Sequence, residues 1–198
     1  MALILMVLLI IVVSVGFTAK ETIRGCFTSF KGIPGVTLTS TDRLPETSER
    51  FRTLKTNTGE VTVSRIDGYR ILYNTIKGGN LVNLKVELSD SGKYETDKKG
   101  ILDNLQFMIS HTQGLTSATP LEIEKNGYKI YGLNRNSIDT KATTLGTYIL
   151  FPGNNTTVYF YFENLDTDKR DYKDMEEFVT IRDKFLDEYT QHINDCKE

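Results

Sequence analysis

Apolar and aromatic residues alternate along residues 144–162, TLGTYILFPGNNTTVYFYF, on both sides of a Pro-Gly-Asn-Asn sequence. Because side chains alternate between the two faces of a strand, Val158, Phe160 and Phe162 lie on one face, and the two tyrosines between them lie on the other. Both faces are then apolar, which is typical of a strand inside a sheet covered on both sides. The pattern predicts a buried hairpin, with a helix on one face and a helix or long loops on the other.

The middle of the chain contains further stretches with the composition of strands. Asp67-Gly68, a strong signal for a hairpin turn, lies between residues 60–66 and 69–75. A Lys-Gly-Gly-Asn turn then leads into a strand at residues 81–88. Strands joined by turns this tight must pair in antiparallel fashion.

The remaining strand-like segments differ in how clearly they are bounded. Asn126-Gly127 joins residues 121–124 to residues 128–133 and predicts a second well-defined hairpin. Residues 28–58, in contrast, are rich in Thr, Ser, Gly and Pro. They predict a loose connection with one short strand at residues 36–39.

Two segments have the apolar spacing of amphipathic helices. The first is Tyr94–Thr112, in which Gly100 lowers helix stability by about 1 kcal/mol relative to alanine, and Gly114 is the expected stop signal. Its apolar stripe consists of Ile101, Leu105, Met108, Ile109 and Thr112.

The second predicted helix covers residues 174–196. Asp174 and Glu177 resemble a capping box at its start, with Asp in place of Ser or Thr, and Glu177 also suits the positive end of the helix dipole. Its apolar stripe consists of Phe178, Ile181, Phe185, Tyr189, Ile193 and Cys196. We expect this stripe to cover the aromatic strand.

Residues 2–17 carry no charge, and the first charged side chains are Lys20 and Glu21. Such a run is either a secretory signal, with a small-residue cleavage site after Gly16, or a membrane anchor somewhat shorter than the usual span of about 20 residues. Lipid attachment at Cys26 is a third alternative. We expect residues 1–19 to be a signal peptide or an N-terminal membrane anchor and to pack on no part of the globular domain.

The chain contains two cysteines, Cys26 and Cys196, close to its two ends. In an oxidising compartment they could form a disulfide, and closing so long a loop would stabilise the fold by roughly 4 to 5 kcal/mol in the chain-entropy model. The alternative is two separate thiols, with Cys196 filling the apolar stripe of the terminal helix.

The composition argues for a folded domain and against nucleic-acid binding. Hydrophobic residues make up 39% of the chain and charged residues 25%, as in ordinary globular proteins. The 24 basic and 26 acidic residues give a net charge of −2. Nucleic acid is therefore not an expected partner, because its binding requires a concentrated basic face.

The residues that could support catalysis or metal binding form no recognised motif. His111 and His192 each lie near the end of a predicted helix, where a cation is favoured. The histidines and cysteines have no zinc-site spacing, and no nucleophile elbow is present. Residues 166–173 are acidic but contain Lys and Arg and lack the glycine and terminal glutamate of a calcium loop. We therefore expect no catalytic residue, cofactor or metal.

The tyrosines are the most suggestive side chains for binding. Five of them lie on predicted strands, and aromatic faces with polar rims are common in binding clefts. Packing in the core would explain them equally well. The candidate groove consists of Tyr128, Tyr131, Tyr148, Tyr159 and Tyr161.

Together these elements predict an α+β fold, in which an antiparallel sheet is flanked by helices. From residue 80 onward their order resembles the Mog1/PsbP-like family of small αβα domains. The residues that carry this resemblance are VNLKVEL at 82–88, ILDNLQFMI at 101–109, NGYKIYGL at 126–133, YFYF at 159–162 and the closing helix. The resemblance rests on element order, so it assigns no functional residue, and it implies a non-catalytic binding or assembly module.

The expected organisation is a leader at residues 1–19, a connection at 20–58 and one α+β domain at 59–198. We expect a secreted, periplasmic or membrane-anchored protein that binds another protein or a component of the cell envelope. It would contact the membrane through residues 1–19 if these are not cleaved. The alternatives are a small secreted hydrolase or transferase and an adaptor that shelters an apolar helix of a partner.

Overall fold

The structure is a computed structural model that describes residues 25–45, 50–112, 118–139 and 141–196. Ten strands and two helices occur in these ranges. The strands are β1 Gly32–Ile33, β2 Val36–Arg43, β3 Phe51–Thr56, β4 Gly59–Ser64, β5 Asp67–Thr75, β6 Asn80–Leu88, β7 Ala118–Lys125, β8 Tyr128–Arg135, β9 Thr144–Gly153 and β10 Thr156–Glu163. The helices are α1 Tyr94–Thr112 and α2 Met175–Asp195.

Eight strands form one antiparallel sheet in the order β1-β2-β5-β6-β10-β9-β8-β7, and β3 and β4 form a separate hairpin. The aromatic hairpin β9–β10 therefore lies inside the sheet, as its pattern predicts. The predicted α+β class, a mostly antiparallel sheet combined with two helices, is confirmed.

The two faces of the sheet carry separate apolar clusters. Phe160 and Phe162 pack edge-on against α2, with ring centroids 5.2 Å (Phe160–Tyr189) and 5.8 Å (Phe162–Phe178) apart. We call this side the α2 face. Tyr159 belongs to the opposite cluster, which contains Ile101, Leu105 and Ile109 of α1, and we call that side the α1 face. The predicted packing of the terminal helix on the aromatic strand is confirmed.

Local sequence signals explain several boundaries. Asp174 accepts the Glu177 backbone N–H at 3.0 Å, which caps α2 as predicted. Asn126 and Asn154 adopt positive φ angles of 49° and 50°, which are favourable for asparagine in tight hairpin turns. The Asn126-Gly127 and Asn154-Asn155 turns therefore join the strands expected from the pattern.

The predicted hairpin at Asp67-Gly68 is wrong. β4 pairs with β3, while Asp67 and Gly68 begin β5 opposite Leu88 and Glu87. Gly68 is required for close packing rather than for a turn, since a Cβ atom there would lie 2.8 Å from the carbonyl oxygen of Val86. The Asp67 carboxylate accepts hydrogen bonds from its neighbour's backbone N–H and from the Arg43 guanidinium, both at 2.9 Å.

The described parts of residues 28–58, namely 28–45 and 50–58, contain more regular structure than the predicted connection. They contain β1, β2 and β3, and β2 pairs with β5 along its length. Three exposed threonines, Thr37, Thr39 and Thr41, account for the polar composition of β2, and a strand with one solvated face accepts such side chains. The expectations for residues 1–19 and for Gly114 concern positions outside the described residues.

Candidate binding cleft

The α1 face is covered unequally by α1 and by the β3–β4 hairpin. Gly100 lets α1 approach the hairpin, because a Cβ atom there would lie 2.9 Å from a methyl group of Val61. The Asn104 side chain donates a hydrogen bond to the Lys55 carbonyl oxygen at 2.8 Å. The helix therefore packs against the hairpin and lies over one half of the sheet.

A buried group of charges lies beneath the hairpin. Glu87 is 4% exposed, and its carboxylate pairs with the Arg52 guanidinium from β3 and with the Lys85 ammonium at 3.0 Å. Arg52 also donates to the Tyr159 hydroxyl at 3.0 Å, and its guanidinium lies 5.2 Å above the ring centroid. These contacts fasten the hairpin to the sheet.

The protonation states in this group follow from its surroundings. Burial alone would lower the pKa of Arg52, but the fields of Tyr159 and Glu87 raise it above its usual value. Burial raises the pKa of Tyr159, and the Glu87 carboxylate raises it further. Arg52 therefore stays charged and the Tyr159 hydroxyl stays neutral, which suits a fixed structural contact and not proton transfer.

On the other side of α1, a cleft of about 370 Å³ separates the helix from the end of the sheet. This volume is near the lower end of the range of about 300–1,000 Å³ that is usual for ligand sites. Pro120 and Glu122 face it, because they pair with Leu133 and Tyr131 on the α1 face. Its lining is mostly apolar. It includes Leu102, Leu105, Gln106 and Ile109 of α1, Pro120 and Glu122 of β7, and Tyr131 of β8.

The cleft borders an unpaired edge of the sheet. β7 is the last strand in the order, so its outer side pairs with no strand in the ranges that the structure describes. Glu122 and Glu124 are exposed on this strand, and Glu122 pairs with Lys129 of β8 at 2.7 Å. Exposed charges on an edge strand oppose uncontrolled pairing with further copies.

The five tyrosines predicted to form a groove do not share one surface. Tyr128 and Tyr148 belong to the α2 face, whereas Tyr131, Tyr159 and Tyr161 belong to the α1 face. Tyr148 and Tyr159 are buried. Of the five, Tyr131 lines the cleft. Alternation along β8, β9 and β10 divides the set, because the register of the strands places odd and even positions on opposite faces.

Tyr148 belongs to a polar network under α2. Its hydroxyl donates to the Asn134 side-chain oxygen at 2.6 Å and lies 3.1 Å from the Arg182 guanidinium. The Arg182 guanidinium also pairs with the Asp183 carboxylate at 2.7 Å. Burial raises the pKa of Tyr148 to about 12, although Arg182 opposes this shift. The network orients α2 on the sheet.

His192 lies beside a hydroxyl, but its geometry does not suit a general base. Its Nε2 atom is 2.9 Å from the Cys26 carbonyl oxygen and 3.1 Å from Ser29 Oγ. A carbonyl oxygen can only accept, so Nε2 carries a hydrogen and donates. A base for Ser29 would need this nitrogen unprotonated. His111 is exposed and stacks on Phe107, with ring centroids 3.8 Å apart.

The structure joins Cys26 and Cys196 in a disulfide, with a Cα–Cα distance of 5.7 Å. Cys26 is buried at 6% exposure beside α2, whereas Cys196 is exposed at the C-terminal end of this helix. Within the described ranges, no group of three or more His, Cys, Asp or Glu side chains is arranged to hold a metal ion. Neither of the helices described above is both long and apolar enough to cross a membrane.

The sequence pattern did not reveal the buried charges or the cleft. The signal for the charges is the spacing of Lys85 and Glu87, which share one face of an otherwise largely apolar and buried strand. No local signal marks the cleft, because α1 and β7 meet only in the folded chain. Comparisons with protein-family models, with curated protein sequences and with solved structures found no match to this chain.

Proposed function

We propose that this chain is a non-catalytic binding module of the cell envelope, exported or held at the membrane by residues 1–19. Its site is the cleft between α1 and β7, and its ligand is an extended segment of a partner protein. The observation that carries this proposal is the position of an apolar cleft directly beside an unpaired strand edge.

An extended segment suits this site better than a helix. A strand added to β7 would form main-chain hydrogen bonds along the edge and direct alternate side chains into the cleft. About 370 Å³ accommodates only a few side chains, whereas a sheltered helix would need a long groove. Glu122 and Glu124 lie on the same face of β7 as the cleft, so they favour basic residues among the side chains that the added strand directs to that face.

The disulfide supports the extracytoplasmic location, because such bonds persist mainly in oxidising compartments. A Mog1/PsbP-like assignment is part of the same proposal. Its support is a helix on each face of an antiparallel sheet, in the element order expected from residue 80 onward. The hydrolase or transferase alternative gains no support from His192, whose Nε2 is a donor.

The test is selection of phage-displayed random heptapeptides on the immobilised protein. We expect enriched sequences to carry both apolar and basic residues at every second position, so that these side chains share the cleft face of the added strand. Their affinity should fall at least about tenfold for Gln106→Trp, because the indole would fill the cleft from an exposed position of α1.

Thr96→Trp is the matched control, since Thr96 is exposed on the same helix and does not line the cleft. Its affinity for the selected peptides should equal that of the unmodified protein. The proposal would be refuted by a selection without enrichment, by enriched peptides without apolar and basic residues on one face, or by equal binding to the Gln106→Trp variant.

A further inference from the structure

The disulfide between Cys26 and Cys196 has one accessible and one buried half. Cys26 is 6% exposed, whereas Cys196 is exposed directly after α2. An external thiolate must reach along the sulfur–sulfur axis to displace the other sulfur, so access decides which sulfur it attacks. Cys196 is therefore the more accessible half of the bond.

Noncovalent contacts keep this asymmetry when the bond is open. Phe27 and Phe30 are buried at 3% and 6% exposure, and the Tyr189 hydroxyl donates to the Phe27 carbonyl oxygen at 3.1 Å. Phe30 packs edge-on against Phe185 and Tyr189, with centroid distances of 5.4 and 5.3 Å. The segment around Cys26 therefore stays packed beside α2 without its covalent link.

The surroundings of Cys196 contain two opposing influences on a thiolate. Its place at the C-terminal end of α2 is unfavourable for a negative charge. His192, one turn earlier, places Nε2 3.9 Å from the Cys196 sulfur. The hydrogen on that nitrogen points mainly to the Cys26 carbonyl oxygen, so His192 acts on a Cys196 thiolate through the partial positive charge of its N–H group, which opposes the helix dipole.

We propose that Cys196 is the exchange sulfur of this protein and that its partner is a dithiol–disulfide oxidoreductase. In oxidation, the Cys196 thiolate attacks the partner's disulfide and displaces one partner thiolate, which gives a mixed disulfide. The Cys26 thiolate then attacks Cys196, the mixed bond breaks, and the partner leaves as a dithiol. The chain loses two electrons and two protons, and the partner gains them. Reduction follows the same steps in reverse.

This inference goes beyond the proposed function. It requires an oxidising compartment but no occupied cleft, so the peptide selection and the thiol chemistry can fail independently. The partner's own cysteines supply the redox equivalents, and no metal or further cofactor is needed.

The first experiment uses the oxidised, full-length protein with reduced glutathione as the probe. Acid quenching stops the exchange, alkylation with N-ethylmaleimide after unfolding labels the open thiol, and peptide mass spectrometry locates both groups. We expect glutathione on Cys196 and the alkyl group on Cys26. In 6 M urea the amounts of glutathione on Cys196 and on Cys26 should become comparable, because unfolding makes both sulfurs accessible. Glutathione mainly on Cys26 in the folded protein would overturn the proposal.

The second experiment compares single-thiol variants reacting with oxidised glutathione. Cys26→Ala, which keeps Cys196, should react at least about tenfold faster than Cys196→Ala. Circular dichroism verifies that both variants are folded. Equal rates in the folded state would contradict the assignment.

A third comparison tests the positioning role of His192 in the Cys26→Ala background. His192→Leu removes the N–H donor and should slow the reaction of Cys196, whereas His192→Gln restores a donor at the place of Nε2 and should recover most of the rate. Equal effects of the two substitutions would mean that His192 acts only through packing.

Discussion

At the residue scale, the α2 face depends on a few large side chains that fit one another closely. Phe185 is fully buried and contacts Phe30, Tyr73 and Phe162, with centroid distances between 5.0 and 5.9 Å. These edge-on arrangements are the favoured geometry for aromatic pairs. Phe185 is therefore the side chain whose removal should damage the core most.

Phe185→Ala should lower the free energy of unfolding by about 3–5 kcal/mol, the usual cost of emptying a buried phenylalanine site. Glu188→Ala and Lys184→Ala, at exposed positions of the same helix, should change it by no more than about 0.5 kcal/mol. Urea unfolding compares the three variants. Equal midpoints for Phe185→Ala and Glu188→Ala would contradict this account of α2.

Because Gly132 has no side chain, the ring of Tyr148 can pack directly against its backbone. A Cβ atom at Gly132 would overlap the Cδ1 and Cε1 atoms of Tyr148, which is fully buried and cannot move away. Gly132→Ala should therefore destabilise the protein by about 1–3 kcal/mol, the usual cost of overpacking. Gly92→Ala, at an exposed site, is the control for thermal unfolding. A Gly132→Ala variant as stable as this control would show that the ring can be displaced freely.

At the element scale, the β3–β4 hairpin is attached to the sheet largely through Arg52. The Glu87 carboxylate beneath it is 5% exposed and also contacts Lys85. Removing one partner of a buried ion pair leaves the other charge poorly compensated. The positions of the hairpin and of α1, which packs against it, should therefore depend on the contact between Arg52 and Glu87.

Arg52→Ala should cost about 3 kcal/mol, the lower end of the range for a broken buried pair, because Lys85 still compensates Glu87. Arg50→Ala, at an exposed position directly before β3, should cost no more than about 0.5 kcal/mol. In a double-mutant cycle with Glu87→Gln, the two losses should sum to more than the loss of the double variant. Additive losses measured by urea unfolding would mean that the pair does not couple the hairpin to the sheet.

Asp97 links α1 to β4 and should make stability depend on pH. Its carboxylate accepts the Ser64 backbone N–H at 3.4 Å, and burial raises its pKa above the usual value of about 3.9. The folded protein then holds this proton at pH values where the unfolded chain has released it, so this group lowers stability as pH rises from about 4 towards the folded pKa. Lys93, Ser89 and Glu87 are the neighbouring groups that also affect this pKa.

Asp97→Asn should remove that contribution. Urea unfolding at about pH 3.5 and about pH 6.5 gives the change in stability for each protein. The unmodified protein should lose more, or gain less, between the two values than the variant does. Glu163, whose pKa is also raised by burial, contributes equally to both proteins. Identical pH dependence of the two would show that Asp97 is not the group responsible.

At the scale of the whole molecule, the disulfide joins positions separated by 170 residues. A loop of that length restricts the unfolded chain strongly, and its closure should contribute roughly 4 to 5 kcal/mol in the chain-entropy model. The unmodified protein should therefore unfold at a clearly lower urea concentration in the presence of dithiothreitol. The Cys26→Ala/Cys196→Ala double variant should show no response to dithiothreitol. A reductant effect of equal size in both proteins would exclude the disulfide as its cause.

The sequence by itself determined the elements that depend on interactions between residues close together in the chain. The aromatic hairpin, the Asn126-Gly127 turn, the bounds of α1 and the capped start of α2 follow from alternation, positive φ angles and helix capping. These signals act over a few residues, so the sequence displays them directly. The packing of α2 on the aromatic strand also followed, because both surfaces are continuous and strongly apolar.

The tertiary structure decided everything that depends on which strands become neighbours. Asp67-Gly68 has the composition of a turn, but the pairing of β4 with β3 makes it the start of a strand. The same register divides the five tyrosines between two faces and places Lys85 and Glu87 under Arg52. The cleft forms because α1 packs against the β3–β4 hairpin and does not cover β7. Contacts between residues distant in sequence decide these features, and no local pattern encodes which distant partner a strand will have.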